Sequence, residues 1–316
     1  MIRTALLAMA ASLAASLPAH ALDLYSWQSP HFRDHPLNGA IVSAHGPATP
    51  EALLEAVAAS HFVAAGEIHD NPDHHRLQAE LLKAMIDAGK RPAVVFEMVP
   101  ESLQPVLDRA PDIGAADLGA ALDWEERGWP EWSIYRPIAD VALAAGLPLV
   151  AGDLDRDVIR AIGQQGRDAL AARDIARIGL DLPFPATASE SLKQELVDSH
   201  CGMLPETMIA PMITVQRARD GALAAAMAAH AERGAFLVAG AGHVREDRGA
   251  PAVLARMLPE EDVLTIGLLQ TGDSQRLDDH AANEPFDYVI LTPRANVDDH
   301  CAGLRERFAP KEEKTD

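Results

Sequence analysis

The alternation of short apolar runs with amphipathic helical stretches is the feature that most limits how this chain can fold. An apolar run at residues 61–65 leads into a helical pattern over residues 71–88, and a second run follows at residues 92–98. Strands that are apolar throughout and separated by helices are typical of parallel sheets covered on both faces. The sequence therefore predicts an α/β fold with a mostly parallel central sheet flanked by helices.

The other strands and helices are predicted from the same two patterns, apolar runs for strands and helical spacing of apolar residues for helices. Residues 101–145 and 156–230 have mainly helical patterns, and we expect them to form helical insertions after the third and fourth strands. Further strands are predicted at residues 39–44, 147–152, 235–241, 263–269 and 288–291, and further helices at residues 50–60, 205–233 and 251–257.

The N-terminus has the composition of a secretory signal peptide. A short basic start precedes an uncharged apolar stretch at residues 5–17, and small residues flank a cleavage site after Ala21. Such a pattern is typical of a segment that is removed on export, and the apolar stretch is short for a membrane span. Because no cysteine lies near this site, we expect a periplasmic protein without a lipid anchor.

The remainder is expected to form one domain. Residues 1–21 are the predicted signal peptide, residues 22–310 a single α/β domain, and residues 311–316 a polar, disordered tail. The 316-residue chain has a net charge of -20, which should repel nucleic acids. Its two cysteines, Cys201 and Cys301, could pair in an oxidising compartment, but their spacing alone leaves the bond open.

Acidic residues and histidines recur where the predicted strands end. Glu67 and His69 follow one strand, Glu97 lies at the end of the next, and Asp153 and His243 follow two later strands. The carboxyl ends of parallel strands meet at one edge of a sheet, so we expect these groups to share a cleft. The alternative is that each polar residue only caps the following segment, but glutamate is a poor N-cap residue.

Such a set of groups has two chemical uses. Glu67 and His69 could bind a divalent metal ion, although the spacing does not identify which metal. The same two residues, with Glu97 and His243, could instead run acid–base chemistry in a hydrolase of esterase or peptidase type. Two arginines on the long predicted helix, Arg217 and Arg219, could bind a carboxylate if they face the cleft, or could be solvated.

Two further groups have both a functional and a structural interpretation. His74, His75 and Gln78 would lie in the first turns of a helix that Asn71 caps, where they could form a polar site or a solvated helix start. The aromatic residues of the loop-like stretch 124–135 could form a flat wall for a planar ligand, or a small core beneath a loop.

The motifs taken together resemble those of the ChaN-like haem-binding family, within the wider group of Tiki/TraB proteases and erythromycin-esterase-like enzymes. The resemblance covers residues 35–300 and rests on ordered motifs: residues 66–71 (GEIHDN), His74, His75, Gln78, Glu97, Met98, Trp124, residues 128–130 (GWP), Trp132, Tyr135, residues 200–202 (HCG), Gln216, Asp220 and residues 239–245 (AGAGHVR).

The resemblance implies a haem-binding protein of haem or iron uptake. It implies a homodimer that holds haem at its interface, and an outer-membrane haem receptor system as a partner. Tyr135, His200 and His243 are the axial ligand candidates, since tyrosine and histidine both ligate haem iron. Trp129 and Trp132 are the candidates for the cofactor-contacting aromatics. The wider group uses the Gly-Glu-x-His region for hydrolysis, which keeps the hydrolase alternative open.

Overall fold

The computed structural model describes residues 21–308, and the predicted tail and nearly all of the predicted signal peptide lie outside them. Within that range, eight strands form one sheet in the order β2-β1-β8-β7-β3-β6-β4-β5. The strands are β1 (Ile41–Ser43), β2 (Gly46–Ala48), β3 (Phe62–Glu67), β4 (Ala93–Pro100), β5 (Leu149–Asp153), β6 (Ala235–Gly240), β7 (Val263–Gln270) and β8 (Tyr288–Thr292).

The sheet is mostly parallel. β3 pairs in parallel with β6 and β7, β4 pairs in parallel with β5 and β6, and β8 runs parallel to β7. The hairpin of β1 and β2 adds an antiparallel edge beyond β8. This confirms the predicted α/β fold, and it puts the carboxyl ends of β3, β4, β5 and β6 on the same edge.

Helices connect the strands and cover both faces of the sheet. They are α1 (Pro50–Ala59), α2 (Pro72–Asp87), α3 (Gln104–Leu107), α4 (Ala110–Ile113), α5 (Ala115–Ala121), α6 (Trp132–Ala144), α7 (Arg156–Gln165), α8 (Ala172–Arg177), α9 (Ala186–Ser199), α10 (Glu206–Ala228), α11 (Ala241–Val244), α12 (Ala250–Met257), α13 (Asp278–Ala281) and α14 (His300–Phe308). Short 3₁₀ turns lie at Glu101–Leu103 and Gly166–Ala169. In the described part of the chain, no helix is both long and apolar enough to cross a bilayer.

The start of α2 follows directly from its sequence. Asn71 is the N-cap, and its side-chain oxygen accepts hydrogen bonds from the backbone N–H groups of Asp73 and His74. Pro72 takes the first helical position, where a missing N–H costs nothing. The Asn71 side chain also donates to the carbonyl of Pro293, which fixes the β3–α2 turn against the segment after β8.

Three boundaries differ from the prediction in a way that matters for the site. β3 continues through Glu67, so Glu67 belongs to the strand rather than to the following loop. β4 continues to Pro100, and its pairing with β5 is irregular between Phe96 and Pro100, around Glu97. The stretch predicted as loop-like up to Tyr135 becomes helix α6 from Trp132 onward.

Candidate functional site

A carboxylate–imidazole pair lies at the end of β3. The Nδ1 atom of His69 is 2.7 Å from Oε1 of Glu67, and Glu67 is almost fully buried, with 2% of its surface exposed. The Glu67 carboxylate therefore orients the imidazole and leaves Nε2 of His69 available. Since 39% of the His69 side chain is exposed, that nitrogen can meet a ligand or a substrate.

The charge of Glu67 changes the titration of its partner. Burial by itself would lower the pKa of His69, but the carboxylates of Glu67 and Glu97 hold it above its ordinary value. Oε2 of Glu67 is buried and has no hydrogen-bond partner in the described structure. A buried, unpartnered carboxylate oxygen is uncommon, and it marks a place for a water molecule or a ligand atom.

Glycine at the end of β6 brings a second group of residues close to this pair. A Cβ atom on Gly240 would lie 3.2 Å from Cε1 of His69, which would crowd the imidazole, and 3.5 Å from Oε2 of Glu97, an ordinary van der Waals contact. The backbone N–H of Gly240 donates to Oε2 of Glu97 over 2.7 Å. The backbone at the end of β6 thus donates a hydrogen bond to the Glu97 carboxylate of β4.

Arg219 of α10 joins two strand ends. Its guanidinium donates to both carboxylate oxygens of Asp153, at 2.7–3.1 Å, and to Oε1 of Glu97 at 2.8 Å. Arg219 thus faces the cleft, as the prediction required, but its carboxylate partners belong to the protein itself, and binding of a ligand carboxylate stays a prediction. Arg217 is directed elsewhere and donates to the carbonyls of Leu180 and Leu182.

His243 is buried between two carboxylates. Its Nδ1 is 2.6 Å from Oδ1 of Asp220, and its Nε2 is 3.3 Å from Oε1 of Glu97. The Gln216 amide nitrogen is 2.9 Å from the same Nδ1. Although burial opposes the charged ring, Glu97 and Asp220 raise the pKa of His243 to about 10, so the ring is an imidazolium at neutral pH.

The opposite shift applies to Glu97. Burial would raise the pKa of this carboxyl, but the His243 and Arg219 cations, and then His69, hold it well below its ordinary value. The predicted grouping of polar residues at the strand ends is therefore present: Glu97, Asp153 and His243 share one ion-pair network, and His69 is within electrostatic range of it. Their chemical roles stay predictions.

The histidines at the start of α2 serve as buried supports. His74 accepts a hydrogen bond from the Ile68 N–H through Nδ1, and its Nε2 lies 2.7 Å from Oγ1 of Thr292. Burial, and then His75, lower the pKa of His74 well below its ordinary value, which leaves it neutral. His75 lies between the carbonyl of His69 and Gln78. Gln78 is hydrogen-bonded to His75 and to the carbonyl of Ala65.

Most of the aromatic stretch belongs to the core. Trp124, Trp132 and Tyr135 are buried in the main hydrophobic cluster, and the Trp132 indole N–H donates to the Ala115 carbonyl. Of this set, Trp129 is only half-buried, and its ring lies against His69 with the centroids 5.0 Å apart. The core interpretation thus holds for Trp132, which has no face available to a planar ligand in this conformation.

The Tyr135 hydroxyl lies beneath the Glu67–His69 pair. It donates to the carbonyl of His69 at 3.1 Å and lies 3.4 Å from Oε1 of Glu67, with the side chain fully buried. Burial, and then the charges of Glu67 and Glu97, raise the pKa of Tyr135 far above its usual range. A tyrosinate, the form that ligates iron, is strongly disfavoured at this position.

His200 lies apart from this network, at the C-terminal end of α9. Its Nδ1 is 2.7 Å from the carbonyl of Leu196, so Nδ1–H donates and Nε2 carries the lone pair. The ring is half-buried, and Nε2 has no hydrogen-bond partner among the described residues. The neighbouring Cys201 forms a disulfide with Cys301, which settles the pairing that the sequence left open.

A cleft with a volume of about 470 Å³ opens beside the ion-pair network, at the carboxyl ends of β4 and β5. Trp129 and Arg219 belong to its wall and connect it to His69 and Glu97. Among the described residues, no group of three or more histidine, cysteine, aspartate or glutamate side chains is arranged to hold a metal ion.

Three residues of the site were not predicted to be functional from the sequence. The buried partner of His243 is Asp220, which the sequence offered only as part of a helical motif with Gln216. Arg127 and Arg156 also line the cleft, and no periodicity marked either of them. Their positions depend on how the helices between β4 and β6 pack.

Comparison with known proteins places the fold. The model of a family described as haem-binding uptake, Tiki superfamily, ChaN matches residues 53–254. ChaN of Campylobacter jejuni, for which cofacial haem binding is described, superposes with a TM-score of 0.64 at 19% identity, covering 79% of this chain and 95% of that one. The erythromycin esterase EreC superposes with a TM-score of 0.43 at 14% identity over 82% of this chain and 83% of its own, which is too distant to support an argument. No curated protein matches.

Proposed function

The chain belongs to the haem-binding uptake family of the Tiki superfamily that includes ChaN, and on this premise we propose that it binds haem in haem or iron uptake. The match covers residues 53–254, which include the strand ends and His200. The structural neighbour from Campylobacter jejuni, which shares the fold, is a protein with cofacial haem binding. Haem binding would require a side chain that can ligate the iron.

His200 is the axial ligand that the geometry favours. Its Nδ1–H is held by the carbonyl of Leu196, and this contact fixes the tautomer that leaves Nε2 free. In most metal-binding histidines, the ring nitrogen that does not bind the metal donates a hydrogen bond in the same way. That hydrogen bond orients the ring and makes the other nitrogen a better ligand. The half-exposed imidazole of His200, held at Nδ1 by the Leu196 carbonyl and 3.2 Å from the Ser199 hydroxyl oxygen at the same atom, is the observation that carries the proposal.

The surroundings of His200 suit the face of a porphyrin. The segment that follows it presents Met203 and Leu204 half-buried, and Met208, at the start of α10, is 45% exposed. Apolar side chains that stay partly exposed in the segment next to a ligand residue support a binding surface there. The Cys201–Cys301 disulfide fixes the turn that carries this surface.

The other two ligand candidates would have to break buried contacts first. His243 is held by a carboxylate at each nitrogen, and its raised pKa keeps it protonated, which removes the lone pair that iron needs. Tyr135 would have to ionise next to Glu67 in a buried position. Both remain conceivable ligands only in another conformation of the chain.

A haem bound by His200 at the protein surface would have one face open to solvent. A homodimer in which the two copies bring these faces together would cover them. Cofacial haem binding by the Campylobacter jejuni protein supports this arrangement. Export to the periplasm, with a signal peptide cleaved after Ala21, and delivery of haem from an outer-membrane receptor system complete the proposal. The Cys201–Cys301 disulfide supports export, because disulfides persist in oxidising compartments.

Hemin titration of the purified mature chain tests the proposed function. We expect a saturable shift of the Soret band with one haem bound per chain, and a larger hydrodynamic size for the loaded protein in sedimentation experiments. Hemin that associates without saturation, as it does with unrelated acidic proteins, would contradict the proposal. Saturable binding to a chain that remains a monomer would retain haem binding and reject the dimer.

A second candidate function is hydrolysis at the Glu67–His69 pair, and a specific observation favours it. The carboxylate orients an imidazole whose Nε2 is directed toward Gly240 and Glu97, beside an accessible cleft. This is the arrangement in which histidine takes a proton from water while a carboxylate stabilises the imidazolium. His243 and Arg219 supply fixed positive charge nearby.

This candidate makes a quantitative prediction. If the chain hydrolyses an ester or peptide from a substrate panel, Glu67→Gln and His69→Ala should each lower the rate about 10²–10⁴-fold. The rate of the unmodified chain should rise as pH increases through the pKa of His69, which the carboxylates hold above its ordinary value of about 6.5. Glu55→Gln, on the exposed face of α1, is the matched control. Activity that survives both substitutions would exclude this site.

A further inference from the structure

The cleft beside the ion-pair network combines arginine side chains with an apolar wall. Three guanidinium groups and one carboxylate belong to its lining, in a chain whose net charge is -20. The lining residues are Met98, Pro100, Arg127, Trp129, Asp153, Leu154, Arg156, Ile159, Val215 and Arg219. An excess of arginine in one cleft of so acidic a protein points to a ligand of negative charge.

Of the three arginines, Arg219 is neutralised within the protein. It makes ion pairs with Glu97 and with Asp153, the one carboxylate in the lining. Its charge therefore contributes little to attracting an external anion. The capacity of the cleft for an anion must come from the other two guanidinium groups.

Arg127 and Arg156 lack such neutralising partners. Arg127 is held in place by the carbonyls of Met98 and Leu122, and it forms no ion pair with a described residue. Arg156, at the first position of α7, is exposed and has no hydrogen bond or ion pair within the part of the chain that the structure describes. Burial, and next the Arg156 charge, lower the pKa of Arg127, while Asp153 and Asp123 act in the opposite direction.

The rest of the lining selects for an apolar body. Trp129 forms one wall, and Ile159 and Val215 come from two different helices on other sides. An arginine can accept a carboxylate through two parallel N–H···O hydrogen bonds, which gives the interaction direction as well as strength. A ring system stacked on Trp129 would leave a carboxylate substituent free to reach the arginines.

We propose that this cleft binds an organic carboxylate, with Arg127 and Arg156 holding the carboxylate group and Trp129 contacting an apolar body. The ligand is either a separate organic acid or a porphyrin whose propionate groups reach into the cleft. With a separate organic acid the proposal is independent of the one for haem; with a porphyrin it rests on that proposal.

Calorimetric titration with 2-naphthoate, and with the uncharged isostere 2-naphthamide, tests the site in the full mature chain. We expect saturable binding of the acid and at least about tenfold weaker binding of the amide, because the amide cannot form charge-assisted hydrogen bonds with both guanidinium groups. Arg156→Gln should weaken binding of the acid by about the same factor. Arg160→Gln, one turn further along α7 on its exposed surface, is the matched control and should bind as the unmodified chain does.

Equal affinities for the acid and the amide, or an unchanged affinity in Arg156→Gln, would overturn the proposal. So would the absence of saturable 2-naphthoate binding. A hemin titration in the presence of saturating 2-naphthoate distinguishes the two sources of the carboxylate: competition identifies the porphyrin propionates, and independent binding identifies a separate organic acid. The Soret band reports haem binding by itself, so failure of one proposal is distinguishable from failure of the other.

Discussion

Replacing His200 by alanine is expected to weaken hemin binding by at least about a hundredfold. Residues that only orient a metal ligand are worth about 10–100-fold in metal affinity, and a residue that donates its own lone pair should be worth no less. His200 is half-buried and its ring makes no contact that the core requires, so the variant should fold normally. Titration of the Soret band measures the loss.

A matched substitution separates the ligand from a general effect of removing an imidazole. His45 lies exposed in the turn between β1 and β2, and its ring has no partner in the described structure. His45→Ala should bind hemin as the unmodified chain does. Equal affinities for His200→Ala and His45→Ala would show that another residue holds the iron.

Replacing Arg219 by alanine is expected to lower the free energy of unfolding by about 3–5 kcal/mol. Removing one partner of a buried ion pair leaves the other charge without compensation in a poorly solvated site. Here two carboxylates lose their partner together, because Glu97 and Asp153 both accept hydrogen bonds from this guanidinium. Urea denaturation of the two proteins measures the difference.

Arg173→Ala is the control for that measurement. Its side chain is 88% exposed, and exposed charges usually change stability by less than about 0.5 kcal/mol on removal. A loss below about 1 kcal/mol for Arg219→Ala would mean that water replaces the guanidinium at both carboxylates. The strand ends would then form an open, hydrated cleft instead of a buried ion-pair network.

The fold was accessible from sequence because its determinants are local. Apolar runs and helical periodicity predicted the strands and the longer helices, and the cap at Asn71 predicted the start of α2. The strand ends could be predicted to converge because parallel strands share an edge. The boundary error at Glu67 arose because a charged residue was assumed to lie beyond the strand, whereas its carboxylate is buried and hydrogen-bonded to His69.

The details of the site depend on tertiary contacts that no local pattern contains. The burial of Tyr135 follows from the packing of α6 against α2, and it could not be distinguished in sequence from an exposed aromatic. Asp220 meets His243 only because α10 crosses the end of β6. The cleft arginines come from three separate segments, the loop between α5 and α6, the start of α7, and α10, and only tertiary packing brings them together.

The central claim is that an accessible imidazole, and not the buried phenol at the strand ends, ligates the iron. Magnetic circular dichroism of the ferric haem complex distinguishes the two ligands, because tyrosinate and imidazole give different charge-transfer bands. We predict an imidazole spectrum that is lost in His200→Ala and unchanged in Tyr135→Phe. A tyrosinate spectrum that disappears in Tyr135→Phe would contradict this account.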